Sequence, residues 1–369
     1  MQLTAANAAP YLLTRRLVDP EVVIDGDFVA IDASRRNRNV KVQHHDGTGL
    51  FLKQIQSAEM HDIAALEREA ACYRLPGRHE SLAPLKGIMP DVRHYDSAAR
   101  ILTLHLIANG ENLHLYQQRT GGFPVSVAES LGNALATLHA VDVRAALPEE
   151  TLSRLFLQQP PWILGIHQMR PNLLGNDVSA ANRQLFDLVQ RYPTFAESLE
   201  AIRTAWTRNR LIHGDLKWDN CVITWPDGSE GGPRVVFADW ELADLGDPAW
   251  DVGAMLQTWL VPWIQSIPVA PGAAPRQLTE SAGVPLPSMQ PALRAFWTTY
   301  AERRALAADE REDFAERAVR SAGARMIQTA YESLAMLQQL TPQMILLLQV
   351  SLNVLTRPQQ ARRELFALS

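Results

Sequence analysis

Short apolar runs alternate with turn-rich stretches over the first hundred residues, and then the pattern changes to helical spacing. Glu21–Ile31 (EVVIDGDFVAI), Val40–His45 and Leu50–Ile55 read as strands, with a turn at His45-Asp46-Gly47-Thr48-Gly49. Leu66–Leu75 (LEREAACYRL) predicts a helix that interrupts them, and Arg100–Ile107 (RILTLHLI) predicts a return to strand. Beyond Ala108, Val125–His139, Arg183–Val189 and Ala196–Trp206 place apolar residues at helical intervals. Strands recur only at Cys221–Thr224 and Arg234–Phe237. From Met289 the chain reads as helical, with a long helix expected from Asp309 to about Leu340. Proline-rich segments at Gln158–Asn172 and Ile267–Pro291 break the pattern, and there is no internal repeat or heptad run. The expected class is α+β, with a β-rich part over 1–107 and a larger helical part over 108–369.

Composition narrows the function classes. The 369 residues suffice for two domains or one large two-lobed enzyme, and an apolar fraction of 47% marks a globular chain. The net charge is −5, whereas a protein that binds duplexes through phosphate neutralisation would be basic, so nucleic acid is not an expected partner. Two cysteines, Cys72 and Cys221, can build neither a disulfide framework nor a four-thiolate zinc site. The most apolar stretch, Met344–Leu355, falls short of the roughly 20 residues of a membrane span. The opening MQLTAANAAPYLLTRRL lacks the basic-then-apolar order of a signal peptide, so the expected location is the cytoplasm.

The candidate chemistry sits in His213-Gly214-Asp215-Leu216-Lys217-Trp218-Asp219-Asn220, followed nineteen residues after Asn220 by Asp239-Trp240-Glu241. The two strands between them, joined through Pro226-Asp227-Gly228, predict a hairpin whose base brings Asn220 and Asp239 together. Amide and carboxylate oxygens suit Mg²⁺, a hard cation. Asp215, five residues before Asn220, is placed to orient an acceptor hydroxyl and take its proton in phosphoryl transfer. Lys217 can set its ammonium against the transferring phosphoryl group. His44, His45, His105 and His114 lack metal-ligand spacing, His139 reads as a structural residue at a helix end, and Cys221 reads as core. Trp218, Trp240 and Trp250 read as packing around the loop, with Trp218 also able to border an acceptor pocket.

HGDLKWDN with DWE, and LGDPAWDVG at 245–253, resembles the aminoglycoside phosphotransferase and choline kinase family, relatives of the protein kinases. The resemblance implies a bilobal protein-kinase-like fold, with a nucleotide-binding lobe over 1–107 and a catalytic, acceptor-binding lobe over 108–369. It implies ATP and Mg²⁺ as cofactors, Asp215 as base, Asn220 and Asp239 as metal ligands, and His213 as the brace of the loop. On the same resemblance, Lys53 at the end of Leu50-Phe51-Leu52-Lys53 is the lysine that holds the α- and β-phosphates. Glu69 anchors it, with Glu67 as the competing choice, and backbone groups near Leu106 and Ile107 hold adenine. The nucleotide-covering loop, Asp32 to Asn39, has no glycine. Asn37 matches the asparagine that closes such loops, while Ser34, Arg35, Arg36 and Arg38 either grip phosphates, bind an anionic substrate or solvate a hairpin tip.

The acceptor is open to several readings. From residue 241 onward, 13 acidic residues face 11 arginines and no lysine, a poor lining for a polycationic aminoglycoside. SRRNRN together with HGDLKWDN and DWELADLGDPAWD also resembles the phosphotransferases of lanthipeptide and thioamitide biosynthesis. That resemblance implies a peptide serine or threonine as acceptor, with a separate lyase as partner. The alternatives are a small-molecule kinase for antibiotics, choline-like alcohols or sugars, and a degenerate kinase that binds a peptide or partner without catalysis.

Overall fold

The structure is a computed structural model that describes residues 1–368 apart from Arg35, Arg36, Ala58, Phe123 and the segments 170–177, 226–231 and 269–279. The chain forms two compact units: Met1–Gly121 with Val141–Leu157 and Trp218–Asp244, and Gly122–Ala140 with Gln158–Lys217 and Leu245–Ser369.

Five strands organise the first unit: β1 (Val29–Asp32), β2 (Arg38–Gln43), β3 (Gly49–Gln54), β4 (Val92–Asp96) and β5 (Ile101–His105). They pair antiparallel in the order β1-β2-β3-β5-β4. The turn between β2 and β3 ends at Gly49, where a Cβ would lie 2.0 Å from the Val42 carbonyl oxygen, so only glycine fits. Thr4 caps α1 (Ala5–Thr14) by accepting the Asn7 amide, while the Asn7 side chain accepts the Thr4 amide. Ala8, Tyr11 and Leu12 of α1, with Leu3, then pack on Val40, Val42, Leu50, Leu52 and Ile101. Burying such side chains contributes about 1.5–3 kcal/mol each. The helix expected near Leu66 is α3 (Met60–Cys72), which lies in the chain between β3 and β4.

One strand expectation needs correction. Glu21–Ile31 divides into a short helix, α2 (Pro20–Ile24), and the later strand β1, because Pro20 at the first helical position presets the helical φ after Asp19. Sequence periodicity also missed α1 and β4. The hairpin expectation is met: Cys221–Thr224 pairs antiparallel with Arg234–Phe237, Cys221 opposite Phe237. Its proposed turn at Pro226-Asp227-Gly228 lies outside the described residues.

The second unit is largely helical. Val125–Ala140 packs on Leu286–Arg303, and Pro248–Ser266 packs on Ala308–Ser333. Asp247 caps the 248–266 helix through the Ala249 amide, and Pro248 occupies its first turn. The long helix starts at Ala308 but ends at Ser333, short of Leu340. Past its end, Ser179 Oγ donates to the Leu334 carbonyl, the Ala181 amide to that of Leu337 and Gln184 Nε2 to that of Gln338. These tertiary bonds replace the helical partners those carbonyls would otherwise seek. Among the described residues no helix is long and apolar enough to cross a membrane.

Candidate active site

Within the first unit, β3 carries Lys53 between Asn39 of β2 and Leu102 of β5, and its side chain is buried. Its Nζ donates to Glu69 Oε2 at 2.8 Å, to Glu241 Oε2 at 3.0 Å and to Asp239 Oδ1. Glu69 lies on the inward face of α3 with Leu66 and Ala70, whereas Glu67 points to solvent. Helical phase thus settles which glutamate meets the lysine. Burial opposes the Lys53 charge, but the three carboxylates outweigh it and hold the ammonium well above the usual lysine range. Burial also pushes the Glu69 carboxyl upward, against the pull of Lys53.

Asp239 sits just past the hairpin. The Asn220 carbonyl accepts the Ala238 amide at 2.9 Å, which joins the start of one strand to the end of the other. Asp239 itself adopts φ 68°, ψ 59°, a left-handed conformation that aspartate tolerates better than most residues. Its amide donates to the Tyr73 hydroxyl at 3.0 Å, and that hydroxyl donates to Glu69 Oε1 at 3.2 Å. Tyr73 therefore ties α3 to the Asp239 backbone. The Asp239 side chain stays 38% exposed beside the nearly buried Lys53, so it can serve a ligand as well as the lysine.

In the second unit, the loop after Arg210–Ile212 holds His213, Asp215 and Lys217 together. Buried Asp251 pins this loop: Oδ2 accepts the His213 amide at 2.7 Å and Oδ1 accepts the Gly214 amide at 3.0 Å. Trp250 Nε1 donates to the Gly214 carbonyl, and His213 Nδ1 accepts the Asp215 amide at 3.3 Å. Asp215 meets Lys217 Nζ through Oδ2 at 2.8 Å and Arg325 Nη2 through Oδ1 at 3.2 Å. Burial opposes ionisation of Asp215, but Arg325 first and Lys217 next overcome it and hold the carboxyl below its ordinary range. Burial likewise opposes the Lys217 charge, and Asp215 and Glu332 raise it.

The remaining expected residues are placed as follows. Ser34 donates its amide to Asp32 and accepts the Asn39 amide on its hydroxyl, so it closes the turn between β1 and β2. Arg38 lies in β2 and Asn37 just before it, while Arg35 and Arg36 lie outside the described residues. The Leu106 amide donates to the Gly49 carbonyl and the Ile107 carbonyl accepts the Gly110 amide, so both positions carry internal backbone bonds. His139 is buried between Tyr300 and Asp251, as a structural residue should be. Cys221 is core, and burial pushes the Cys72 thiol up to about 12, which leaves it unreactive.

Four participants escaped sequence reasoning: Tyr73, Glu241, Asp251 and Arg325. Glu241 and Asp251 lie inside motifs that were singled out, DWE and LGDPAWDVG, and could have been found there. Tyr73 lies four residues from its partner Glu69, but its link to Asp239 spans 166 residues, and Arg325 meets Asp215 across 110, so neither long contact carries a local signal.

Comparison with known proteins gives the family and the fold. The sequence profile of the APH phosphotransferase enzyme family matches residues 27–280. No curated protein matches the chain. The fold is similar to that of a choline/ethanolamine kinase family protein from Mesorhizobium loti, 17% identical, with a TM-score of 0.54 over 97% of both chains. It is also similar to choline kinase from Cryptosporidium parvum, 10% identical, with a TM-score of 0.54 over 93% of this chain and 96% of that one. At such identities the likeness speaks for the fold, a protein-kinase-like α+β arrangement with an N-terminal five-stranded antiparallel sheet. Because the profile spans well over half of the chain, the chain belongs to the APH phosphotransferase enzyme family and is a phosphotransferase.

Proposed function

We propose that this phosphotransferase moves the γ-phosphoryl group of ATP to the hydroxyl of a small-molecule acceptor. The observation that carries the reading is the buried Lys53 held by Glu69 against Asp239, the group a nucleotide triphosphate needs beside its metal. Mg²⁺ fits the residues present. Asn220 and Asp239 offer hard oxygens, and Glu69, Asp239 and Glu241, whose ligand atoms lie within 4.8 Å of one another, outnumber the single Lys53 charge. When bound, Mg²⁺ would neutralise phosphate charge. Lys53 then holds the α- and β-phosphates, and Asp215 orients the acceptor hydroxyl and takes its proton. Lys217 leaves Asp215 to balance charge on the transferring group, with His213 and Asp251 holding the loop. This assigns nucleotide to residues 1–107 with the hairpin, and acceptor chemistry to the loop at 213–217.

The acceptor class follows the fold relatives, which include choline kinases. A peptide serine or threonine, with a lyase acting afterwards, is the second reading. It rests on the SRRNRN motif combination alone, and the comparisons lend it nothing. The test is isothermal titration with Mg·ATP followed by a phosphate-transfer screen over choline-type alcohols, macrolides, aminoglycosides and serine peptides. Asp239→Ala should abolish Mg-dependent nucleotide binding and leave the fold intact. Asp215→Asn should keep nucleotide binding and lose transfer by about a hundredfold or more. Unchanged Mg·ATP affinity in Asp239→Ala would sink the metal assignment.

A further inference from the structure

Arg325 lies beyond the segment matched by the family profile, on the 308–333 helix, yet it reaches the residue read above as the base. At Ser321 and Ala322 this helix lies against Gly253, and at Gly323 against Leu355 and Ser351, and the Arg325 side chain is only 2% exposed. There it lies over the Trp250 ring at 5.6 Å and donates from Nη2 to Asp215 Oδ1 and to the Leu216 carbonyl. Nε and Nη1 are buried with no hydrogen-bond partner among the described residues. An arginine buried so incompletely satisfied is a poor stabiliser, because desolvation offsets most of the attraction it gains. Among the described residues its ionic partner is Asp215.

The two carboxylate oxygens of Asp215 are held differently. Oδ1 is fixed by buried Arg325, whereas Oδ2 meets Lys217, a side chain 35% exposed and also 3.9 Å from Glu332. We propose that Arg325 is a positioning residue that clamps Oδ1, aims Oδ2 at the acceptor hydroxyl and keeps Asp215 ionised when Lys217 moves to the phosphoryl group. The proposal rests on Asp215 being the base. In the transfer step the acceptor O–H gives its proton to Oδ2 and its oxygen bonds to phosphorus. The bond from phosphorus to the ADP oxygen breaks, and ADP keeps the electron pair. Among the described residues, the charged groups that act most on Asp215 are Arg325 from the long helix and Lys217 and His213 from its own loop, with Glu332 behind Lys217.

Arg325→Gln removes the charge and shortens the side chain while keeping an amide, and Arg325→Lys keeps the charge but not the fork. The Asp215 carboxyl is followed by ¹³C NMR against pH, assigned by its absence in Asp215→Asn, and Mg·ATP hydrolysis with water as acceptor is followed in parallel. Arg325→Gln should raise the Asp215 midpoint by about 1–3 pH units and move the acid limb of hydrolysis by the same amount. Arg325→Lys should restore the midpoint but leave kcat down about tenfold, with KM for ATP within about twofold of the parent. An unmoved midpoint in Arg325→Gln, or full kcat in Arg325→Lys, overturns the proposal. Full hydrolysis by Asp215→Asn instead overturns the assignment of the base, so the two failures are told apart. If Arg325→Gln does not fold, the kcat against KM split in Arg325→Lys still decides.

Discussion

Lys53, Glu69, Asp239 and Tyr73 show how a single hydroxyl can join segments far apart in sequence. The Tyr73 phenol accepts from the Asp239 amide and donates to Glu69, and burial keeps it protonated by pushing its ionisation well above the ordinary tyrosine range. Tyr73→Phe keeps the ring and removes only the oxygen, leaving a backbone amide and a buried carboxylate each short of a partner. We expect a loss of about 1–3 kcal/mol in urea unfolding. Because Asp239 holds a left-handed backbone, the same variant should also weaken Mg-dependent ATP binding. Unaltered urea midpoint and metal requirement would show that the hydroxyl contributes nothing. The sequence singled out Lys53 and preferred Glu69 with Glu67 as the competing choice; both are carboxylates of one helix, and its packed face separates them.

At the level of elements, the second unit depends on helices that approach closely through small residues. At Gly253 a Cβ would lie 2.5 Å from the Ala318 carbonyl oxygen and 2.6 Å from the Ala322 nitrogen, which are backbone atoms of the partner helix. The helices 248–266 and 308–333 would have to separate to admit a methyl group. Gly253→Ala should therefore cost about 1–3 kcal/mol. Gly165, with nothing within 4 Å of its would-be Cβ, is the control, and its alanine variant should stay within about 0.5 kcal/mol. Thermal melts of the two variants check the contrast, and equal melting temperatures would refute the close-approach account. The same packing seats Trp250 and Arg325 against the loop at 213–217.

For the molecule as a whole, pH dependence of stability reports the buried titratable groups. His139 is wholly buried, and burial lowers its pKa below 6.5 despite the Asp251 carboxylate beside it. The unfolded chain takes up this proton at a higher pH than the folded one, so stability falls as pH drops below about 6.5. One such group gives a slope of at most about 1.4 kcal/mol per pH unit. Asp215, whose carboxyl is depressed, adds a separate loss only at lower pH, beneath the unfolded carboxylate value. Glu69, whose carboxyl is raised by burial, acts with the opposite sign in this window and His167 with the same sign, so the His139 contribution is read as a difference. Urea unfolding between pH 7.5 and 5 should lose more stability in the parent than in His139→Gln. An identical loss in both would assign the effect elsewhere.

The sequence by itself determined the parts whose geometry is short-range. The strand that carries Lys53, the hairpin from Cys221 to Phe237 and the loop from His213 to Lys217 depend on neighbours a few residues apart, so alternation, turns and motif spacing suffice to place them. The break at Pro20 was equally local and went unread beneath a β-branched run. Tertiary structure alone decided the contacts that close over long stretches of chain. It chose Glu69 over Glu67, brought Tyr73 to Asp239, set Asp251 beneath His213 and Gly214, and delivered Arg325 to Asp215. A helix presents only one face to its neighbour, and which side chains that face buries depends on how the helix packs, a property that no local pattern encodes.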